Sequence, residues 1–242
     1  MGTNTVNIGI DRFLPLKWAD YTLDLALTVQ NKNDAYALLR MYLDAEIKSR
    51  EVSRKTANQL KRLWLTSDDT YSFLREKAEL VINERYYNHL NVFHLAMAMN
   101  VFPVFKETCQ MIGRLNRIQG EVTRKDIQAR VGEKYGNTAS MPRIVDRLIQ
   151  TLTDWKLIQI ESKKISLKEI VISSPMPVAW FATAILIARP ERRITIQDLE
   201  SVPEKLGVQI KNTREAIGQC KWLAITRNFG NQELISLLDC QT

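Results

Sequence analysis

Gly120-Glu121-Val122-Thr123-Arg124-Lys125-Asp126-Ile127 opens the stretch that decides the fold, and Gly136-Asn137-Thr138-Ala139-Ser140 and Ser162-Lys163-Lys164 are its two later turns. Thr123 is of a type that caps helices, its side-chain oxygen accepting from an otherwise unpaired amide of the first turn. Ile127 and Val131 then face one way along a short helix. Gly136-Asn137 ends it, since both residues tolerate the left-handed backbone of a tight turn. Ser140 is the expected cap of a second, longer helix, with Pro142 in its first turn, where a missing amide costs nothing. Ile144, Val145, Leu148, Leu152 and Trp155 form one apolar stripe along that helix, with Ile149 beside it. Leu157–Glu161 alternates like a strand, Ser162-Lys163-Lys164 makes a tip, and Ile165, Leu167, Ile170 and Ile172 carry the return. Helix, turn, helix and basic hairpin in this order are the build of a winged helix-turn-helix.

The polar side of the longer helix points to a partner. Arg143, Arg147 and Gln150 fall at i, i+4 and i+7 and share a face. Long donors near the start of a helix are what reading a major groove requires. Asn137, Thr138 and Ser140 offer donors at the end of the helix that favours phosphate. Lys163 and Lys164 sit where a wing meets the nucleic-acid backbone. For the helix alone, a solvated outer face explains the same residues, and many winged helices bind protein. The whole order together favours double-stranded DNA.

Ile194 to Leu238 reads as a second, degenerate copy. Thr195 precedes Ile196-Gln197-Asp198-Leu199 much as Thr123 precedes its helix, and Gly207 breaks the chain where Gly136 does. Lys211–Trp222 is the expected second long helix. Leu223–Arg227 and Glu233–Leu237 are the expected strands, joined through Asn228-Phe229-Gly230-Asn231. Lys211, Arg214 and Arg227 are its candidate contacts. A nearly neutral copy more often packs or docks than reads sequence.

Upstream of residue 120 only helical spacing appears. Asp34 is the expected cap of a helix Ala35–Ile47, and Ser53 of a helix Arg54–Leu65. Pro103 separates two helices within residues 86–118. Within Lys48–Arg62, Arg50, Arg54, Lys55, Asn58, Lys61 and Arg62 make a secondary polar and basic surface, suited to phosphate, to an acidic partner or simply to solvent. The expected organisation is mainly α: a helical region over 1–103, a winged unit over 104–173 and a second over 174–242.

Charge respects this division. The chain of 242 residues has a net charge of +7, and residues 104–173 hold 13 basic and 8 acidic side chains. Residues 1–103 hold 13 and 12, and residues 174–242 hold 8 and 7. Five of the seven excess charges thus lie on the first winged unit, where they attract polyanions.

Other classes find little support. Ile170–Ala188 carries no charge over 19 residues, but Ser173-Ser174-Pro175 and Pro177 interrupt it, leaving a buried helix expected from Val178. Asp11 and Arg12 precede any apolar run, unlike a secretory leader. Cys109, Cys220 and Cys240 form no close pair, as in a reduced cytoplasmic protein. The phosphate-binding glycine patterns and the G-x-S-x-G turn are missing. His89 and His94 lie five apart without ligand partners, and His94 is expected to be packed and hydrogen-bonded. Asp68-Asp69 reads as a helix start. Trp155 and Trp222, each where a helix hands over to a strand, are expected in the core. No enzyme, metal or cofactor is expected.

The order as a whole resembles the BrxA proteins of BREX phage-defence systems. The resemblance rests on the basic helix with Ser53-Arg54-Lys55-Thr56, on the helix Phe102–Ile118 leading into Gly120-Glu121-Val122-Thr123, and on the close at Asp154-Trp155-Lys156-Leu157. It spans about Phe13 to Leu238 through soft motifs of helix and turn residues. It implies a small non-enzymatic DNA-binding protein, without cofactor, working beside a methyltransferase and other defence components. An adaptor that docks another defence protein, and a winged-helix transcriptional regulator, are the alternatives.

Overall fold

The computed structural model describes residues 10–67, 70–83, 87–227, 230 and 232–238. Asp68, Asp69, Asn228, Phe229, Asn231 and Cys240, which carry some of the expectations above, lie outside them. The fold is mainly helical with three small sheets among the described residues. Six α-helices come first: α1 (Leu16–Thr28), α2 (Lys32–Glu46), α3 (Arg50–Leu60), α4 (Ser72–Asn83), α5 (Leu90–Val101) and α6 (Pro103–Gln119).

Two starts in this region differ from expectation. Asn31, not Asp34, caps α2, its Oδ1 accepting from the Asn33 amide at 2.8 Å. Ser49 caps α3 by accepting from the Val52 amide, because the chain is still extended there (φ −89°, ψ 115°). Ser53 lies inside that helix, buried, and donates to Asp44. From Lys61 to Leu65 the helix widens into a π turn. Arg75 reaches back to the carbonyls freed around it, donating to Leu63 at 3.0 Å and Thr66 at 2.8 Å. Pro103 divides α5 from α6 as expected, occupying the first turn after extended Phe102.

Gly120 ends α6 in the left-handed conformation (φ 70°). Then come β1 (Val122–Thr123), α7 (Arg124–Tyr135), α8 (Met141–Asp154), β2 (Ile158–Glu161) and β3 (Lys164–Leu167). These strands form an antiparallel sheet in the order β1-β3-β2, with Ile165 paired to both Val122 and Ile160. The return strand stops at Leu167, not at Ile172. The Lys168 amide closes it onto the Leu157 carbonyl, and the chain then leaves as β4 (Ile170–Ile172).

The remainder comprises α9 (Pro175–Ile187), β5 (Arg193–Thr195), α10 (Ile196–Ser201), a 3-10 turn Pro203–Lys205, β6 (Val208–Ile210), α11 (Thr213–Gln219), β7 (Leu223–Arg227) and β8 (Glu233–Leu237). The sheet order β5-β8-β7 repeats the first–third–second order of the earlier unit. The expected long helix Lys211–Trp222 is only the seven residues of α11. Ile210 is drawn into β6 instead, which pairs in parallel with β4, and left-handed Asn212 (φ 56°) turns the chain between strand and helix.

α9 begins at Pro175 rather than at Val178. Pro175 and Pro177 both fit its first turn, where no intrahelical bond is owed. Its residues from Pro177 to Leu186 are all buried. Trp180 stacks on Phe93 with centroids 4.4 Å apart and donates to the Leu74 carbonyl at 2.9 Å. Asn100 of α5 donates to the Ala184 carbonyl at 3.0 Å. No helix among the described residues is long and apolar enough to cross a membrane.

Buried apolar side chains from all parts of the chain form one continuous cluster. Trp155 and Trp222 lie within it: the indole of Trp155 donates to the Leu14 carbonyl, and that of Trp222 to the Thr183 hydroxyl, each at 2.9 Å. Two glycines mark where the later unit presses on the earlier one. A Cβ on Gly113 of α6 would lie 2.0 Å from the Pro203 carbonyl oxygen. A Cβ on Gly207 would lie 2.0 Å from that of Lys168. Gly207 therefore serves close approach, and its backbone does not need the left-handed turn that Gly136 adopts (φ 91°).

Candidate nucleic-acid interface

α7 is capped at its start and tied to α8 by a polar seam. Thr123 and Asp126 form a reciprocal cap: the Thr123 amide donates to Asp126 Oδ2 at 2.8 Å, and the Asp126 amide to Thr123 Oγ1 at 3.3 Å. Hydrogen bonds from Thr123 hold the Asp126 carboxyl below its usual range. Across the seam, Gln128 of α7 donates to Asp146 of α8 at 2.9 Å, with Arg124 at 3.6 Å from the same carboxylate.

Ser140 does not cap α8 with its side chain. Its backbone is already helical (φ −85°, ψ −23°), which turns the hydroxyl away from the first-turn amides. The hydroxyl lies 3.2 Å from that of Thr138, and the Thr138 carbonyl accepts from the Met141 amide at 3.0 Å. Asn137 is exposed, but its side-chain oxygen folds back over α7, 2.2 Å from where a Cβ on Gly132 would stand.

α8 buries Ile144, Val145, Leu148, Ile149 and Leu152 and leaves Arg143, Arg147 and Gln150 exposed. Arg147 donates to Gln150 Oε1 at 3.0 Å, so these two side chains already act together. Arg143 makes no side-chain hydrogen bond or ion pair among the described residues. At the hairpin tip Ser162 (φ 49°) and Lys163 (φ 70°) are both left-handed. That is the two-residue turn whose twist suits a tight hairpin. Lys163 is exposed at this tip. Lys164 instead belongs to β3 and forms an ion pair with Glu121. The interface thus has three uncommitted or loosely held cations, Arg143, Arg147 and Lys163, with Gln150 between them on the helix.

Two further charged side chains stand on this helix pair, and spacing alone does not single them out. Asp146 shares the edge of α8 with these donors, and Lys125 stands exposed in the first turn of α7. Lys125 was visible as the second residue of a basic pair following the cap. Asp146 was not, because its role depends on Gln128 and Arg124 reaching it across the seam.

The secondary residues divide similarly. Arg50 and Arg54 are exposed and carry no side-chain hydrogen bond among the described residues. Lys55 pairs with Glu51 at 2.6 Å, and Asn58 accepts from the Tyr36 hydroxyl at 2.6 Å. Lys61 lies over the Tyr36 ring, and Arg62 lies over the Phe102 ring while donating to the Val101 carbonyl. In the later unit Arg214 pairs with Glu233 at 2.8 Å, and Arg227 stands 3.8 Å from the same carboxylate. Lys211 is exposed, its amide bonded to the Ile172 carbonyl.

His94 is buried, as expected. Trp64 donates to its Nδ1 at 2.9 Å, which leaves the proton on Nε2, directed at Asp20 Oδ1 2.8 Å away. Burial depresses its pKa, against the raising influence of Asp20. Cys109 and Cys220 are buried free thiols, both raised in pKa by burial. Compared with protein-family models, curated proteins and solved structures, the chain has no match.

Proposed function

We propose that this protein is a non-enzymatic double-stranded-DNA-binding protein whose working unit is a winged helix. α6, β1, α7 and α8 would be its helical core and first strand, and β2 and β3 its wing. The first–third–second order of the strands around the α7–α8 pair supports that assignment. One observation carries the functional reading: α8 buries its apolar stripe and turns Arg143, Arg147 and Gln150 outward together. The residue types and their position near a helix start suit base edges and phosphates in a major groove. Lys163 would meet the backbone. The wing is only four residues per strand, so contact near the tip is confined to this lysine.

A cytoplasmic role in BREX-type phage defence, alongside other defence proteins, is the context that the resemblance to BrxA suggests. Adaptor function is the second reading, and it belongs to the later unit. Arg214 and Arg227 are spent on Glu233, and the unit is wedged against α6 and β4, as a docking or bracing module would be. A mobility-shift titration with duplex DNA at two salt concentrations separates these readings. DNA binding by α8 requires a complex at low salt that weakens steeply as salt rises. No complex at low salt leaves the adaptor.

A further inference from the structure

A second concentration of positive charge lies where the later unit is wedged against the earlier one. An open cleft of about 410 Å³ is lined by Glu200, Lys205, Gln209, Ile210, Lys211 and Asn212. Gln209 and Ile210 of β6, which pairs in parallel with β4, form part of its wall. Lys211 continues that ladder through its amide to the Ile172 carbonyl at 2.9 Å, and left-handed Asn212 turns the chain at the rim. Arg117, at the end of α6, donates to the Ser201 carbonyl at 2.8 Å, next to Glu200. Two cations, Lys205 and Lys211, therefore line the cleft against the single carboxylate of Glu200, with Arg117 close enough to act on Lys205.

Lys205 is the unusual member. It is 8% exposed, and its ammonium donates to the Val208 carbonyl at 2.5 Å. No carboxylate is bonded to Lys205, Lys211 or Arg117 among the described residues. A buried ammonium with no carboxylate bonded to it is costly, and the cost falls when an anion is supplied. Burial lowers the pKa of Lys205, Arg117 and Lys211 lower it further, and Glu200 opposes them.

We propose that this cleft is a binding site for a phosphate-class oxyanion. Lys205 and Lys211 supply the charge, with Arg117 nearby, and the side-chain carboxamides of Gln209 and Asn212 line the cleft as neutral donors. The lining has one apolar side chain, Ile210, and no aromatic ring, so it offers a nucleobase nothing to stack on. The occupant is therefore a phosphate group itself, either free or in a nucleic-acid backbone. The site stands whether or not α8 binds DNA.

The test is a titration of the full chain with inorganic phosphate at constant ionic strength, read by NMR at the Lys211 and Asn212 amides. Saturable shifts are expected. Lys211→Gln should weaken the apparent affinity about tenfold, the loss of one charge-assisted hydrogen bond. Lys205→Met, of similar volume and without charge, should weaken it at least as much, and Lys48→Gln, remote in sequence from the cleft, should not change it. Absence of saturable shifts in the wild type, or unaltered affinity in both folded cleft variants, overturns the proposal. A short duplex that competes with phosphate for these amides identifies a backbone phosphate as the occupant. A duplex that leaves the phosphate curve unchanged identifies a free oxyanion. The Arg143→Ala/Arg147→Ala variant should keep its phosphate affinity, which keeps the outcome independent of the duplex site.

Discussion

Thr123 shows how much one hydroxyl can govern here. It pairs with Asp126 at the start of α7, and Thr195 with Asp198 does the same at α10. Thr123→Ala should lower stability by about 1 kcal/mol, the usual cost of losing a cap, measurable as a shift of the urea midpoint. A midpoint equal to wild type would show that the cap is idle. His94 gives a pH dependence of known sign. Its folded pKa lies below the ordinary value of about 6.5, so the unfolded chain takes up a proton first as pH falls. Stability from this residue is complete above about pH 6.5 and is lost as pH falls toward the folded value. Denaturation midpoints at successive pH values should therefore decline from neutral pH downward in the wild type. The decline should be shallower in His94→Gln; an equal slope would place the titration elsewhere.

At the scale of elements, the contact between the two similar units is the least yielding feature. Gly207→Ala would drive a Cβ into the Lys168 carbonyl, so it should destabilise by about 1–3 kcal/mol, as overpacking does. Gly218, inside α11, has no atom within 4 Å of a would-be Cβ. Gly218→Ala should therefore stabilise by about 0.5–1 kcal/mol. Thermal or urea denaturation of the two variants checks both signs, and a stable Gly207→Ala protein would mean that the close approach relaxes freely. The same contact explains what remained hidden in the sequence. The helical front, the break at Pro103, the α7–α8 pair and the hairpin were legible because each rests on local periodicity and turn residues. β4 and β6 were not: three-residue strands in Ile170-Val171-Ile172 and Val208-Gln209-Ile210 acquire meaning only from each other. That pairing took Ile172 away from the hairpin and left no room to start the expected long helix at Lys211. Ser53 is the expected cap of α3, but it lies inside the helix and donates to Asp44, while Ser49, still extended, takes the cap. On the candidate interface, the shared face of Arg143, Arg147 and Gln150 was legible from spacing. The engagement of Lys164 by Glu121 was not, because it depends on the register of β1 against β3.

At the scale of the molecule, one apolar cluster carries a surface whose positive excess is uneven. The segment 104–173 supplies most of that excess, and it also holds the exposed donors of α8 and the tip of the hairpin. Glu121, Asp126 and Asp146 are tied to partners within the unit, which leaves the outward donors free to meet a polyanion. Counterion release turns this into a number. Each neutralised phosphate contributes about −0.9 to the slope of log affinity against log salt. The measurement that bears most directly on the account is duplex affinity across a range of salt, for wild type and for folded Arg143→Ala/Arg147→Ala. The expected result is binding by the wild type that falls steeply with salt, with the double variant about tenfold or more weaker and its slope shallower by about 2. Equal affinity and equal slope in the two proteins would contradict DNA binding through α8.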